Sequence, residues 1–214
     1  MFRFWFGIAL CFGLAFAVAA RAGKGPYHQA FELSLNQVEV SSGFWGDRQE
    51  MVRTVTMPAQ WSELTAHHHV DNFRVTAGVK SGIHLGPVFL DSDLFKWLEA
   101  ASYFLGRHPG DAWLSARVEE LVGLFERAQA ADGYLNTFYQ NIAPERRFTN
   151  LWMNHELYCA GHLFEAAAAH FQATGDDRLL KVALRYADLI DREFGPGKNQ
   201  GVPGHQEIEL ALHR

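Results

Sequence analysis

The sequence is poor in cysteine: two in 214 residues, too few for a disulfide scaffold or a cysteine-rich zinc site. It lacks an excess of positive charge, with 19 basic against 24 acidic residues and a net charge of −5, so nothing suggests an electrostatic nucleic-acid footprint. No phosphate loop, dinucleotide fingerprint or Ser/His/Asp order of a hydrolase is present. With 48% apolar, 14% aromatic and 20% charged residues, the chain is also neither disordered nor collagen-like. What remains is an ordinary globular protein of one or two domains.

One long apolar run is present, and it lies at the N-terminus. Arg3 precedes an uncharged stretch from Phe4 to Ala20, and Ala17-Val18-Ala19 and Ala20-Arg21-Ala22 both fit an A-x-A cleavage pattern. Residues 1–22 therefore read as a secretory signal peptide, cleaved after Ala19 or Ala22, and the protein as exported to the periplasm or beyond. A membrane is involved only if the signal stays uncleaved. Removal of residues 1–22 leaves 17 basic residues against 24 acidic ones, a net charge of −7, and Cys159 as the single cysteine.

Residues 31–41 alternate apolar and polar imperfectly and predict one or two short strands, whose sheet partners are not visible. Beyond them the pattern is helical. A helix from Asp47 to about Leu64 is expected to break near Pro58. Residues 67–90 read as loop, with Gly78, Gly82, Gly86 and Pro87. Asp91-Ser92-Asp93 reads as an N-cap before the stripe Leu94, Trp97, Leu98, Ala101, Phe104 and Leu105. Asp111 is expected to cap the next helix, with its stripe Leu114, Val118, Leu121, Val122, Phe125 and Ala128. A long helix over 150–174 is apolar or small on nearly every face and so predicted to be buried. The helix over 176–194 is amphipathic. Gly110-Asp111 and Gly175-Asp176 open two helices 65 residues apart. Buried helices alternating with amphipathic ones suggest an α/α toroid or solenoid; a small bundle is the plainer option. The last helix, after Pro203-Gly204-His205, reaches Arg214 with no closing Gly, Asn or Pro. On this pattern the sequence reads as a piece of a longer protein.

His155-Glu156-Leu157-Tyr158-Cys159-Ala160-Gly161-His162 imitates the zinc-protease H-E-x-x-H pattern with cysteine in place of the second histidine. On an ideal helix His155, Cys159 and His162 share a face. The imitation is weak, and a buried Cys159 with hydrogen-bonded histidines is the simpler reading. In His67-His68-His69, adjacent side chains point apart, which favours a solvated loop over a metal site. Asp132-Gly133-Tyr134 is a turn signal.

Several strings taken together carry a resemblance. They are Asn72-Phe73-Arg74-Val75-Thr76-Ala77-Gly78, the run from Phe89 to Ala100 around Asp91-Ser92-Asp93, and Asp132-Gly133-Tyr134-Leu135-Asn136-Thr137. His155-Glu156-Leu157-Tyr158 with Gly161-His162, Phe194-Gly195-Pro196, and the run from Gly204 to Leu212 complete the set. In order and spacing from about residue 35 onward, the sequence resembles glycoside hydrolase family 127, best known for β-L-arabinofuranosidase activity. The resemblance implies an all-α fold over residues 42–214, the N-terminal half of an (α/α)6 barrel, with the N-terminal strands joining a β-sandwich. It implies a retaining hydrolase whose nucleophile is a zinc-bound cysteine thiolate and whose acid/base is a glutamate. Zinc keeps a thiol deprotonated at neutral pH, and a carboxylic acid protonates the leaving oxygen.

Carried over residue by residue, only His155 and His205 match the family's site, as histidines that hydrogen-bond the arabinofuranose. The family's cysteines and catalytic glutamates have no counterpart in the 214 residues, and Cys159 is not the nucleophile. The expectation is a substrate-binding piece, without hydrolysis or stoichiometric zinc on its own, whose ligand is an L-arabinofuranoside-containing plant oligosaccharide. Its rivals are a standalone α-helical carbohydrate-binding or interaction module, and another α/α-toroid carbohydrate enzyme such as a uronyl hydrolase or sugar epimerase.

Overall fold

The computed structural model describes residue 33 and residues 37–214. The signal-peptide segment and residues 31, 32 and 34–36 of the strand expectation lie outside these. The remaining part of that expectation is corrected. Leu33 and residues 37–41 form no strand, and Val38 and Val40 stand exposed with no neighbouring strand among the described residues to pair with.

Helix α1 (Gly43–Met51) runs through a π-helical turn (Val52–Thr56) into α2 (Met57–Ala66). The predicted interruption is this turn. Pro58 sits in the first turn of α2 and donates no backbone hydrogen bond, and just before it the Met57 N–H reaches back five residues to the Val52 carbonyl. The expected loop over 67–90 holds a helix, α3 (His69–Thr76). Its amphipathic stretch is too short to show a period: Val70, Asn72 and Phe73 are buried. Buried Asn72 binds both the N–H and the C=O of Leu85, at 2.9 and 3.0 Å, and so ties the glycine-rich loop to α3.

Helices α4 (Leu90–Arg107) and α5 (Ala112–Ala128) bury their predicted stripes, with Phe104 of α4 only partly covered. The short α6 (Thr137–Asn141) and a 3₁₀ turn (Pro144–Arg146) lead to α7 (Glu156–Thr174). Helix α7 starts six residues later than expected, because residues 150–154 form a hydrogen-bonded turn. Then come α8 (Arg178–Glu193) and α9 (Glu207–His213). Asp111 caps α5 as predicted, accepting from the Leu114 N–H at 3.1 Å.

The most extensive helix–helix contact is between α4 and α7, with α5 against α4, α8 against α7 and α5, and α9 against α7. Two close approaches set this packing. A Cβ on Gly106 would lie 3.1 Å from the Ala173 Cβ, which brings α4 onto α7. A Cβ on Gly161 would lie 3.0 Å from the Glu207 carbonyl carbon and the Ile208 nitrogen, so only glycine lets α9 sit on α7. A heavily buried helix followed by an amphipathic one thus occurs twice, as α4–α5 and α7–α8. No described helix is long and apolar enough to cross a membrane.

Candidate functional site

The Asp91-Ser92-Asp93 cluster is not an N-cap. Helix α4 starts at Leu90 with no side-chain cap, and the buried Asp91 carboxylate reaches across to α6. It accepts from the Thr137 N–H at 2.7 Å and the Thr137 hydroxyl at 2.5 Å, thereby seating the start of α6. Burial pushes the Asp91 carboxyl up to about 6 against the opposing pull of the Thr137 donors. Ser92 hydrogen-bonds the Phe89 carbonyl, and Asp93 pairs with His69 Nε2 at 3.3 Å.

The H-E-x-x-C string is likewise divided. His155 is not in the helix; it precedes α7 in the left-handed conformation, φ 56°. Glu156 turns inward, where its carboxylate accepts the Tyr134 hydroxyl at 2.5 Å and the Phe148 N–H at 2.9 Å. Tyr134 comes from the Asp132-Gly133-Tyr134 turn, whose Gly133 passes so close to the Arg185 carbonyl that a Cβ would sit 2.3 Å from its oxygen. Cys159 is fully buried, its Sγ 3.8 Å from the Phe89 carbonyl, and desolvation drives its thiol well above the ordinary range.

His155 and His162 do converge, with Tyr158 rather than Cys159 between them. The Tyr158 ring makes edge contacts with His155 (5.7 Å between centroids), His162 (4.6 Å) and His205 (4.7 Å). The Lys96 ammonium donates to the Tyr158 hydroxyl at 2.6 Å and also lies 3.7 Å from Asp93. His205 reaches Tyr158 because the chain before α9 is pressed against the turn before α7. The Gly204 N–H binds the Leu151 carbonyl at 3.2 Å, and a Cβ on Gly204 would lie 2.2 Å from the Trp152 oxygen. The two histidines singled out in the sequence, fifty positions apart, therefore meet on one aromatic ring. Tyr158 and Lys96 were missed as site residues. The signal for Tyr158 was its i, i+3, i+7 spacing with His155 and His162, which places all three on one helical face.

Around this centre, His162 Nδ1 lies 3.2 Å from Glu207. Burial, with the charges of Lys96 and His205 adding to it, lowers His162 to about 4, so its imidazole is neutral at pH 7. Burial also raises Glu207, with the Glu165 carboxylate next in effect. On the far side of Lys96 a cavity of about 600 Å³ opens between α2 and α4, lined by Gln60, Glu63, His69, Asp93 and Trp97 among others. Of the histidine run, His67 faces Glu63 at the surface, His68 takes the left-handed conformation, and His69 turns in to Asp93. The three diverge as expected, but His69 is nearly buried rather than solvated.

The described residues do not fit a zinc ion. No group of three or more His, Cys, Asp or Glu side chains among them is placed to hold a metal ion. Cys159 is a buried thiol against a carbonyl, and Glu156 is spent on Tyr134 and Phe148.

The described residues form an all-α scaffold that gathers imidazoles, a lysine and an aromatic ring at a partly open surface. The chain belongs to the β-L-arabinofuranosidase GH127 catalytic-domain family, whose profile matches residues 37–214. It is 40% identical to a non-reducing end β-L-arabinofuranosidase of Bifidobacterium longum subsp. longum, over 82% of this chain and 30% of that protein. Its fold is similar to the GH127 β-L-arabinofuranosidase of Geobacillus stearothermophilus T6, with a TM-score of 0.79 and 44% identity, covering 82% of this chain and 29% of that one. A second solved GH127 β-arabinofuranosidase aligns with a TM-score of 0.75 and 36% identity, over 84% and 30% of the two chains. The chain thus spans about 30% of the length of these relatives.

Proposed function

We propose that the chain supplies one wall of an arabinofuranose-binding pocket in a GH127-type (α/α)6 barrel, with α4, α7 and α9 as inner helices and α5 and α8 outside them. His155 and His205 hydrogen-bond the hydroxyls of an L-arabinofuranosyl unit of a plant-derived oligosaccharide. The observation that carries this reading is the meeting of His155 and His205 on Tyr158. Imidazoles are suited to the task, since a ring nitrogen can either donate to or accept from a sugar hydroxyl. Hydrolysis by the retaining, zinc-thiolate route of the family belongs to residues outside those described. This chain contributes orientation of the sugar, not the nucleophile or the acid/base. The N-terminal segment directs export.

The test is an NMR titration of the purified chain with methyl β-L-arabinofuranoside, alongside His155→Ala and His205→Ala. Saturable shifts at α7 and before α9, weakened about 3- to 10-fold by either substitution, are expected from the loss of one hydrogen bond. Turnover of an aryl β-L-arabinofuranoside by the chain alone, or shifts indifferent to both histidines, would overturn the reading. N-terminal sequencing of the secreted protein checks export, with a new terminus after Ala19 or Ala22 expected.

A further inference from the structure

The two histidines on Tyr158 are not equivalent, because each has one ring nitrogen committed to a backbone group of opposite character. His155 Nδ1 lies 2.7 Å from the Met153 carbonyl oxygen. A carbonyl only accepts, so this nitrogen must carry the proton, and in the neutral ring Nε2 is left as a bare acceptor. His205 Nδ1 lies 3.1 Å from the Glu207 backbone nitrogen, whose N–H donates to it. That nitrogen must be unprotonated, and in the neutral ring the proton sits on Nε2 as a donor.

We infer that the site is polar in the hydrogen-bond sense: His155 accepts a hydrogen bond from one sugar hydroxyl, while His205 donates one to another. Tyr158 stands between the two rings, with its hydroxyl held by Lys96. A flip of either imidazole would exchange its nitrogen for a C–H at the backbone partner and break the 2.7 or 3.1 Å bond. The backbone partners are themselves fixed. Met153 belongs to the turn in which its N–H binds Asn150 Oδ1 at 3.2 Å, and Glu207 opens the helix seated on Gly161. This assignment deepens the proposed function and rests on it for the identity of the ligand, but not for the tautomers.

The preferred ligand is then a furanoside in which one hydroxyl acts as donor and another as acceptor. Fluorine can accept weakly but cannot donate, so fluoro- and deoxy-sugars separate the two roles. The experiment has two arms. In the first, the chain labelled with ¹⁵N-histidine is examined by long-range ¹H–¹⁵N correlation at pH 8.5, with His155→Ala and His205→Ala assigning the signals. A protonated Nδ1 in His155 and a protonated Nε2 in His205 are expected. The same tautomer in both, or averaging between the two forms in either, overturns the inference.

In the second arm, monodeoxy and monofluoro methyl β-L-arabinofuranosides are titrated into the chain. Deoxygenation is expected to weaken binding about 3- to 10-fold at two positions, the worth of one neutral hydrogen bond each. Fluorine should recover part of the loss at the position facing His205 and none at the position facing His155, and His205→Ala should abolish that recovery. Equal behaviour of fluorine at both positions overturns the inference while leaving the sugar-binding reading intact. Opposite tautomers with no binding of any arabinofuranoside would instead reject the sugar-binding reading and uphold the tautomer assignment. Tyr158→Phe, which keeps the ring, should leave both tautomers unchanged, and Tyr158→Ala should let the His205 ring average.

Discussion

At the scale of single residues, the structure separates groups that read alike in the sequence. Asp91 and Asp111 both stand near a helix start, yet Asp111 caps its own helix and Asp91 crosses to a helix 46 positions away. Nothing local distinguishes them, because the partner of Asp91 is brought in by tertiary packing. The cost of this arrangement is a fully buried carboxylate. Its raised pKa means that Asp91's contribution to stability is complete below the unfolded value of 3.8 and is lost as pH rises through about 6. His162 has the opposite sign: its contribution is complete above 6.5 and is lost as pH falls through about 4. The two trends oppose each other between pH 4 and 6.5 and flatten the profile there. Asp91→Asn can keep the Thr137 N–H bond through its amide oxygen and donate its amide N–H to the Thr137 hydroxyl, which then turns its proton to His84, 2.9 Å away. The variant should be more stable than the parent at pH 7, by about 1–3 kcal/mol for a shift of roughly two pKa units. The advantage should fade towards pH 4, and urea unfolding at pH 4.5 and 7 checks both points. Glu156 is a different case, since it holds Tyr134 and the Phe148 N–H from inside the fold. Burial raises the Glu156 carboxyl too, but both its partners donate to it, so an amide N–H would be turned towards a donor. Glu156→Gln should therefore cost about 1–3 kcal/mol in the same assay. It should leave sugar affinity unchanged, since the carboxylate faces Tyr134 and Phe148 inside the fold.

At the scale of elements, α4, α5 and α8 were legible because their apolar residues recur at helical spacing over four turns or more; burial follows the stripe closely in α4 and α5, while α8 buries Leu179, Val182, Ala183, Tyr186 and Leu189. Helix α3 was not, because eight residues between a histidine run and a glycine-rich loop carry too little periodicity. The late start of α7 was hidden for a related reason. Residues 150–154 look helical in composition but close as a turn, and a left-handed residue follows at His155. Of the site, His155 and His205 were visible through resemblance alone, and their shared contact with Tyr158 became visible only once α9 was packed on α7. That packing hangs on Gly161. Gly161→Ala places a methyl within 3.0 Å of backbone atoms of α9 that cannot move independently. Overpacking of this kind typically costs about 1–3 kcal/mol. The expected result is faster hydrogen exchange in α9 and a weakened His205–Tyr158 contact, with protection in α5 retained; unchanged α9 protection would argue that the helix can slide to make room.

At the scale of the whole molecule, the surface is uneven. Phe171 on α7, Leu184 on α8 and Leu210 and Leu212 on α9 are exposed, and a cavity of about 300 Å³ between these helices is lined mainly by apolar side chains. Contiguous apolar surface of this sort drives association in water. Sedimentation velocity should show the purified chain self-associating at micromolar concentration, and Leu184→Ser with Leu212→Ser should shift it towards monomer without lowering sugar affinity. That separation is expected because both leucines line the apolar cavity, in which none of Tyr158, His155, His162 and His205 takes part. The seating of α9 on α7 has a further consequence for the order in which parts of the molecule come undone. Tyr158 and His162 lie on α7, His155 immediately precedes it, and His205 is tied to it through Gly204 and Gly161. The groups proposed to contact the sugar therefore ride on one helix, which is itself buried against α4. On warming, α1 and its π turn, none of whose residues is buried, are free to open first. Ligand recognition should outlast that fraying and vanish together with the last cooperative unit to melt.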